Sequence, residues 1–329
     1  RTQYTTACAV GCADSSLFPY LRNTASAGSS TLEGGRMKYR VTHSTKYNYS
    51  EDVTLCHNVA HLLPRNTETQ DCRLSELKIS PLPVSVNEWT DLFGNRQASF
   101  SIQKPHDELI VTAISEVEVS ADDSLLDDAF PISCEQTVTH MLTSDHVDSL
   151  DARMYLLESD FIEFSDSIKK YADESFKKER ALLESVEELM HRIHVDFDYV
   201  PGFSSLATPL KDVFKHRKGV CQDFAHFAIA CLRMHGIAAR YVSGYLETIP
   251  PEGEERLVGA DASHAWFSVY VPHRGWVDFD PTNAQIPAEQ HITVAWGRDY
   301  ADVAPLKGVI FGGGNKNKLD VAVDVERLG

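Results

Sequence analysis

From Val41 onward, Val41, His43, Thr45, Tyr47 and Tyr49 alternate with Arg40, Thr42, Ser44, Lys46 and Asn48. A period of two marks a half-buried strand, because successive side chains leave opposite faces. Leu74 to Ile79, Gln97 to Ile102 and Leu109 to Val119 supply further strands, with Asp91-Leu-Phe-Gly94-Asn95 as a turn. No helical period interrupts residues 38–120, which predicts an antiparallel β-sandwich domain over 37–120.

The pattern then changes. Residues 121–165 are acidic and irregular, with Asp122, Asp123, Asp127 and Asp128 crowded at the start, and read as a linker with short helices. Leu182, Leu183, Val186, Leu189, Met190 and Ile193 recur every three to four positions, the core-facing stripe of a helix over 180–193. His191 and His194 near its end fit a hydrogen bond or the C-terminal dipole better than a ligand role. A second helix opens after Gly219, with Phe224, Phe227, Ala228, Cys231 and Leu232 on its stripe and Gly236 as its C-cap. Strand-like runs follow at Arg240 to Leu246, Ala265 to Val271 and Trp276 to Phe279. The class is α+β, with a helix packed on an antiparallel sheet over 166–285 and a tail at 286–329 whose strands pack back on the protein.

Composition narrows the partners. The formal charge of -17 is spread along the chain and gives phosphates no cluster of Lys and Arg, so nucleic acid is excluded as a partner. No run of apolar residues reaches the length of a membrane span. Seven cysteines, an odd number, do not form a disulfide framework and point to a reducing, cytoplasmic setting. Residues 1–36 are small and polar, rich in Gly and Ser, without the continuous apolar run of a secretory signal. They are set outside the fold, as a disordered leader, an expression remnant or a stretch upstream of the true start.

Cys221 stands where the second helix begins, and a helix N-terminus favours the thiolate that makes cysteine a nucleophile. Gly219 would allow the tight turn that exposes it. Cys231, on the apolar stripe, reads as an inert core residue. His264 begins one strand and Asp280 ends the next, so the antiparallel turn between them brings base and orienting carboxylate together. Asp278 is the competing carboxylate, expected on the opposite side of the strand. The 14 histidines include no His-x-x-x-His beside a carboxylate, and no calcium loop is present, so no metal or other cofactor is expected.

Four segments, Gly219-Val-Cys221-Gln-Asp223-Phe-Ala-His226, Gly236-Ile-Ala-Ala-Arg240-Tyr-Val-Ser-Gly244-Tyr, His264-Ala-Trp266 and Gly275-Trp276-Val-Asp278-Phe-Asp280-Pro281-Thr282, closely resemble the transglutaminase-like superfamily of papain-type enzymes. His43-Ser-Thr-Lys-Tyr47, Leu62-Leu-Pro64-Arg65 and Asp91-Leu-Phe-Gly94-Asn95 look like the β-rich N-terminal domain of bacterial members, and Thr293 to Tyr300 with Phe311-Gly-Gly-Gly314 like their tail. The resemblance implies a Cys221, His264 and Asp280 triad that attacks amide bonds of a protein or peptide through a thioester. Water as acceptor makes a protease or amidase, a Lys amine a transglutaminase, and hydrolysis is favoured as the default. The other class of reading is a catalytically silent scaffold with the same fold. The Cys221 N–H is the first oxyanion donor, and Gln222 or a group near Tyr199 the second. Trp266 is either a wall of the acceptor channel or core. Asp223 and His226 either take a catalytic part or hold the helix to the sheet.

Overall fold

The computed structural model describes residues 2–7, 36–120, 131–248 and 262–328. The β-rich region holds strands β1 (Thr2–Ala7), β2 (Met37–Ala60), β3 (Gln70–Ser80), β4 (Ser85–Thr90), β5 (Arg96–Ile102) and β6 (His106–Val119). Helices α1 (Cys134–Thr143), α2 (Val147–Ala152), α3 (Asp166–Ala172) and α4 (Leu182–Asp196) follow. Next come β7 (Asp198–Tyr199), α5 (Leu210–His216), β8 (Lys218–Gly219) and α6 (Cys221–Arg233). Strands β9 (Ala239–Leu246), β10 (Ala262–Val271), β11 (Gly275–Phe279) and β12 (His291–Gly297) lead to α7 (Tyr300–Val303), β13 (Leu306–Gly312) and β14 (Lys318–Leu328).

The alternation that opens the chain is realised in β2, where Val41, His43, Thr45, Tyr47 and Tyr49 are all buried. β2 is long enough to serve two layers. Its first half pairs with β6 and β14, and its second half with β5 and β13. The sandwich is therefore one hydrogen-bonded sheet of eight strands folded over on itself along β2. Side chains from both halves, among them Val53, Phe100, Ile102, Leu109 and Ile310, share one core.

Two boundaries differ from those read in the sequence. Thr2–Ala7, set outside the fold, pairs antiparallel with β13, whose free edge offers its backbone groups a partner. The rest of the leader, 8–35, and the acidic stretch 121–130 lie outside the described residues. Beyond residue 285, β12 joins β11, β10 and β9 as the fourth strand of the core sheet, in the order β11-β10-β9-β12, while β13 and β14 join the N-terminal sheet. Long-range pairing decides each case, and no local pattern encodes it.

α6 is buried along its whole length, as a helix apolar on nearly every side should be. One side lies on β9 and β10, and α3, α4 and α5 enclose the other. Phe227 shows the density of this packing, its ring lying 4.8, 5.2 and 5.3 Å from those of Phe197, Phe214 and Tyr171. The two regions are joined at β12, an edge strand whose outer backbone groups need partners. Gln70 supplies both a donor and an acceptor to Thr293 at 2.7 and 2.8 Å, and Asn95 does the same for Trp296 at 2.8 and 3.0 Å. Two side-chain amides thus stand in for a neighbouring strand. Arg65 lies over the Trp296 ring at 3.1 Å and donates to Asn95 and to the Phe93 carbonyl.

Candidate active site

Cys221 is the first residue of α6, after Val220 in extended conformation. The turn before it is fixed by Asp223, which folds back to accept from the Val220 N–H at 2.8 Å and from the Ser204 hydroxyl. Gly219 is needed for that carboxylate. A Cβ at 219 would stand 2.7 Å from Asp223 Oδ2 and 2.8 Å from its Cβ. The role assigned from sequence, conformational freedom, is thus replaced by room for a neighbour. Burial pushes the Asp223 carboxyl up, against the two donors that favour its charge.

His264 lies on β10 and Asp280 just past the end of β11, where it bridges to Gln285. Their side chains meet as the topology required, with His264 Nε2 donating to Asp280 Oδ2 at 2.7 Å. The His264 ring is also hydrogen-bonded to Cys221. Nε2 being committed, Nδ1 is the atom left for the thiol. Burial pulls the His264 pKa down, and the Asp280 carboxylate, aided by Cys221, more than reverses it, raising it to about 10. Burial conversely raises the Asp280 pKa, and its contacts with His264 and His291 carry it far below the ordinary carboxylate range. A fully buried carboxylate beside an imidazole favours the imidazolium.

Asp278 is on the same face as Asp280, not the opposite one. Two positions along a strand return to the same side of the pleat. Asp278 accepts from Trp266 Nε1 at 2.8 Å, as Asp280 accepts from His264, so each aspartate takes one ring of the pair that β10 presents. Trp266 is completely buried and lies among His264, His291 and the close backbone of Gly244, where a Cβ would approach its ring to 2.4 Å. It packs as part of the core.

The structure gathers two residues that the sequence did not single out. Asn283 Nδ2 donates to Asp280 Oδ2 at 2.7 Å, and His291 Nε2 reaches the same oxygen at 3.1 Å. The backbone N–H groups of Thr282 and Asn283 occupy Oδ1 at 2.9 and 3.2 Å. His194 secures the same turn through the Thr282 carbonyl at 2.9 Å. His264, Asp280 and His291 form a set with ligand atoms within 4.8 Å of one another that could receive a metal ion, although hydrogen bonds already join them.

Gln222 follows Cys221 on α6, and its Oε1 is buried with no partner among the described residues. Tyr199, on β7, pairs across from Gly219 and packs its ring 6.2 Å from Phe224, beside the strand that leads into Cys221. His226 is engaged with other elements. Its ring lies between Phe161 and Tyr241, its Nε2 accepts from the Tyr300 N–H at 3.2 Å, and burial lowers its pKa to about 3. It thus ties α6 to β9 and α7. Cys231 is buried on the stripe, and burial pushes its thiol well above the ordinary range.

A helix-start cysteine, a strand-borne histidine and a buried aspartate, set where α6 meets an antiparallel sheet, define the class of papain-type Cys–His–Asp folds. The comparisons bear on the fold and the family. Residues 39–118 match the bacterial transglutaminase-like N-terminal region and residues 169–281 the transglutaminase-like superfamily. An uncharacterized protein of Mycobacterium tuberculosis is 41% identical over 295 residues, 88% of this chain and 93% of that relative. A solved structure from Cytophaga hutchinsonii, described as a putative cysteine protease, shares the fold with a TM-score of 0.69 at 23% identity, over 90% of this chain and 92% of that one. A protein-glutamine gamma-glutamyltransferase of Pseudomonas aeruginosa is 35% identical over 106 residues, 31% of this chain and 16% of that protein. The chain belongs to the transglutaminase-like superfamily.

Proposed function

We propose that the protein is a cysteine-nucleophile enzyme acting on carboxamide or peptide bonds of protein or peptide substrates. The observation that carries this reading is the convergence on His264 of Cys221 from α6 and Asp280 from the end of β11, with 2.7 Å between His264 and Asp280. With His264 held as the imidazolium, Cys221 reacts as the thiolate partner of that ion pair, and its Sγ attacks the carbonyl carbon. The orphan N–H groups of the first turn of α6 receive the oxyanion, with Gln222 or a group near Tyr199 as a further donor. His264 then protonates the departing nitrogen, the C–N bond breaks, and a thioester remains on Cys221. A second nucleophile attacks the thioester while His264 takes its proton, and the thiol is restored.

The second nucleophile decides between hydrolysis and transfer. Water, present at the highest concentration, favours a protease or amidase, and the Pseudomonas aeruginosa relative supports transfer to an amine as the other outcome. The test is incubation with a Gln-containing peptide and a labelled primary amine. Release of ammonia or fragments without amine incorporation is expected, incorporation would redirect the assignment to transamidation, and Cys221→Ala should abolish every product. Products that survived Cys221→Ala would overturn the mechanism.

A further inference from the structure

The carboxylate of Asp280 is held from two directions. Asn283 and the Thr282 and Asn283 amides belong to its own turn and would follow it wherever that turn moved. His291 does not. It opens β12, which pairs with the far side of β9 from β10, so its bond to Asp280 Oδ2 spans the sheet. His291 is 5% exposed, and its Nδ1 is buried without a partner among the described residues. Its polar engagement is therefore the Nε2–H donated to Asp280, since an ionised carboxylate can only accept. The ring is itself fixed, edge-on to Trp266 at 5.2 Å and 84°, and Trp266 is pinned by Asp278.

We propose that His291 is a second positioning residue, which holds Asp280 Oδ2 against His264 from across the sheet. Oδ2 receives three side-chain donors, more than its lone pairs serve equally well. With His291 removed, the local donors of the 280–283 turn dominate, and the carboxylate loses the anchor that keeps it fixed relative to the sheet bearing His264. The imidazole then no longer keeps Nδ1 aimed at Cys221. This inference rests on Cys221 and His264 being the reacting pair.

Its test reads the thiol directly and needs no substrate. The rate of Cys221 alkylation by iodoacetamide at neutral pH, followed by peptide mapping, is compared in the wild-type chain, His291→Ala, His291→Gln, Asp280→Ala and the double variant His291→Ala/Asp280→Ala. Outer partners of metal-bound histidines are worth about 10-fold or more, and by the same positioning argument a slowing of that size is expected for His291→Ala. His291→Gln keeps an N–H donor and should recover most of the rate. In the Asp280→Ala background, His291→Ala should add almost nothing, because its effect runs through the missing carboxylate. A His291→Ala slowing that persisted in full without Asp280 would mark mere structural damage and overturn the proposal. So would a wild-type rate in His291→Ala, or a His291→Gln as slow as His291→Ala. A wild-type Cys221 that labelled no faster than the half-buried Cys72 would instead overturn the reacting pair, and the inference with it.

Discussion

Two neighbouring carboxylates on one face of the core sheet make nearly the same bond with different consequences. Asp280 meets the imidazole of His264 at 2.7 Å, and Asp278 meets the indole of Trp266 at 2.8 Å. An imidazole can gain a proton and an indole cannot, so burial beside a carboxylate moves a proton equilibrium at His264 but only satisfies an N–H at Trp266. Asp278 also lies in the field of Arg240, whose guanidinium is buried between the rings of Trp276 and Trp296 at 4.3 and 3.6 Å. The Asp280 end is thus organised around a titratable pair and the Asp278 end around a stack of cations and indoles. Nearly the same bond holds a titratable pair at one end and a packed indole at the other, and the partner decides which.

Substitution separates the two ends. Asp280→Asn should lower kcat/KM by about 10³- to 10⁴-fold, the scale of losing the orienting carboxylate of a triad, measured in the amide-cleavage assay. Asp278→Ala should leave kcat/KM within about 10-fold and cost about 1–3 kcal/mol of unfolding free energy through the orphaned indole N–H, read by denaturant melts. An Asp278→Ala enzyme as impaired as Asp280→Asn would erase the distinction. Gly219→Ala should cost about 1–3 kcal/mol through overpacking, because its Cβ would press on Asp223 and loosen the start of α6.

The subtlest effect is on pH. His264 is raised in the fold, so its share of stability is complete below the unfolded imidazole value of about 6.5 and is lost as pH rises towards about 10. Asp280 is depressed, so the same interaction, counted once, is present above the unfolded carboxylate value of about 3.9 and fades as pH falls below it. Denaturant melts across pH should show wild type losing stability from roughly pH 6.5 to 10 more steeply than His264→Gln. Parallel curves for the two proteins would contradict the pairing.

Much of this arrangement was legible in the sequence where the signal was local. The period of two in β2, the apolar stripe of α4 and the position of Cys221 at a helix start all depend on nearby residues, and the turn between β10 and β11 sufficed to join His264 to Asp280. What escaped depends on distant pairing. His291 is one of 14 histidines and gains its meaning only because β12 lies beside β9. β4 is exposed at all six positions, so burial imposes no alternation for a pattern search to find. Gly219 was read as permitting a tight turn, but its role lies in the Asp223 side chain and not in the backbone. Asp278 was placed on the wrong face although the period-two rule already put it beside Asp280. Arg65 and Asn95 matched a family motif, but their work at the edge of β12 shows only once the two regions meet.

The central claim is that Cys221 carries the acyl group. Intact-protein mass spectrometry of the enzyme quenched during turnover of a Gln-containing peptide tests it most directly. The account predicts an adduct equal to the peptide less ammonia, or to its acyl fragment, mapped to Cys221, labile to hydroxylamine and absent from Cys221→Ala. An adduct that persisted in Cys221→Ala, or one that mapped to another residue, would contradict it.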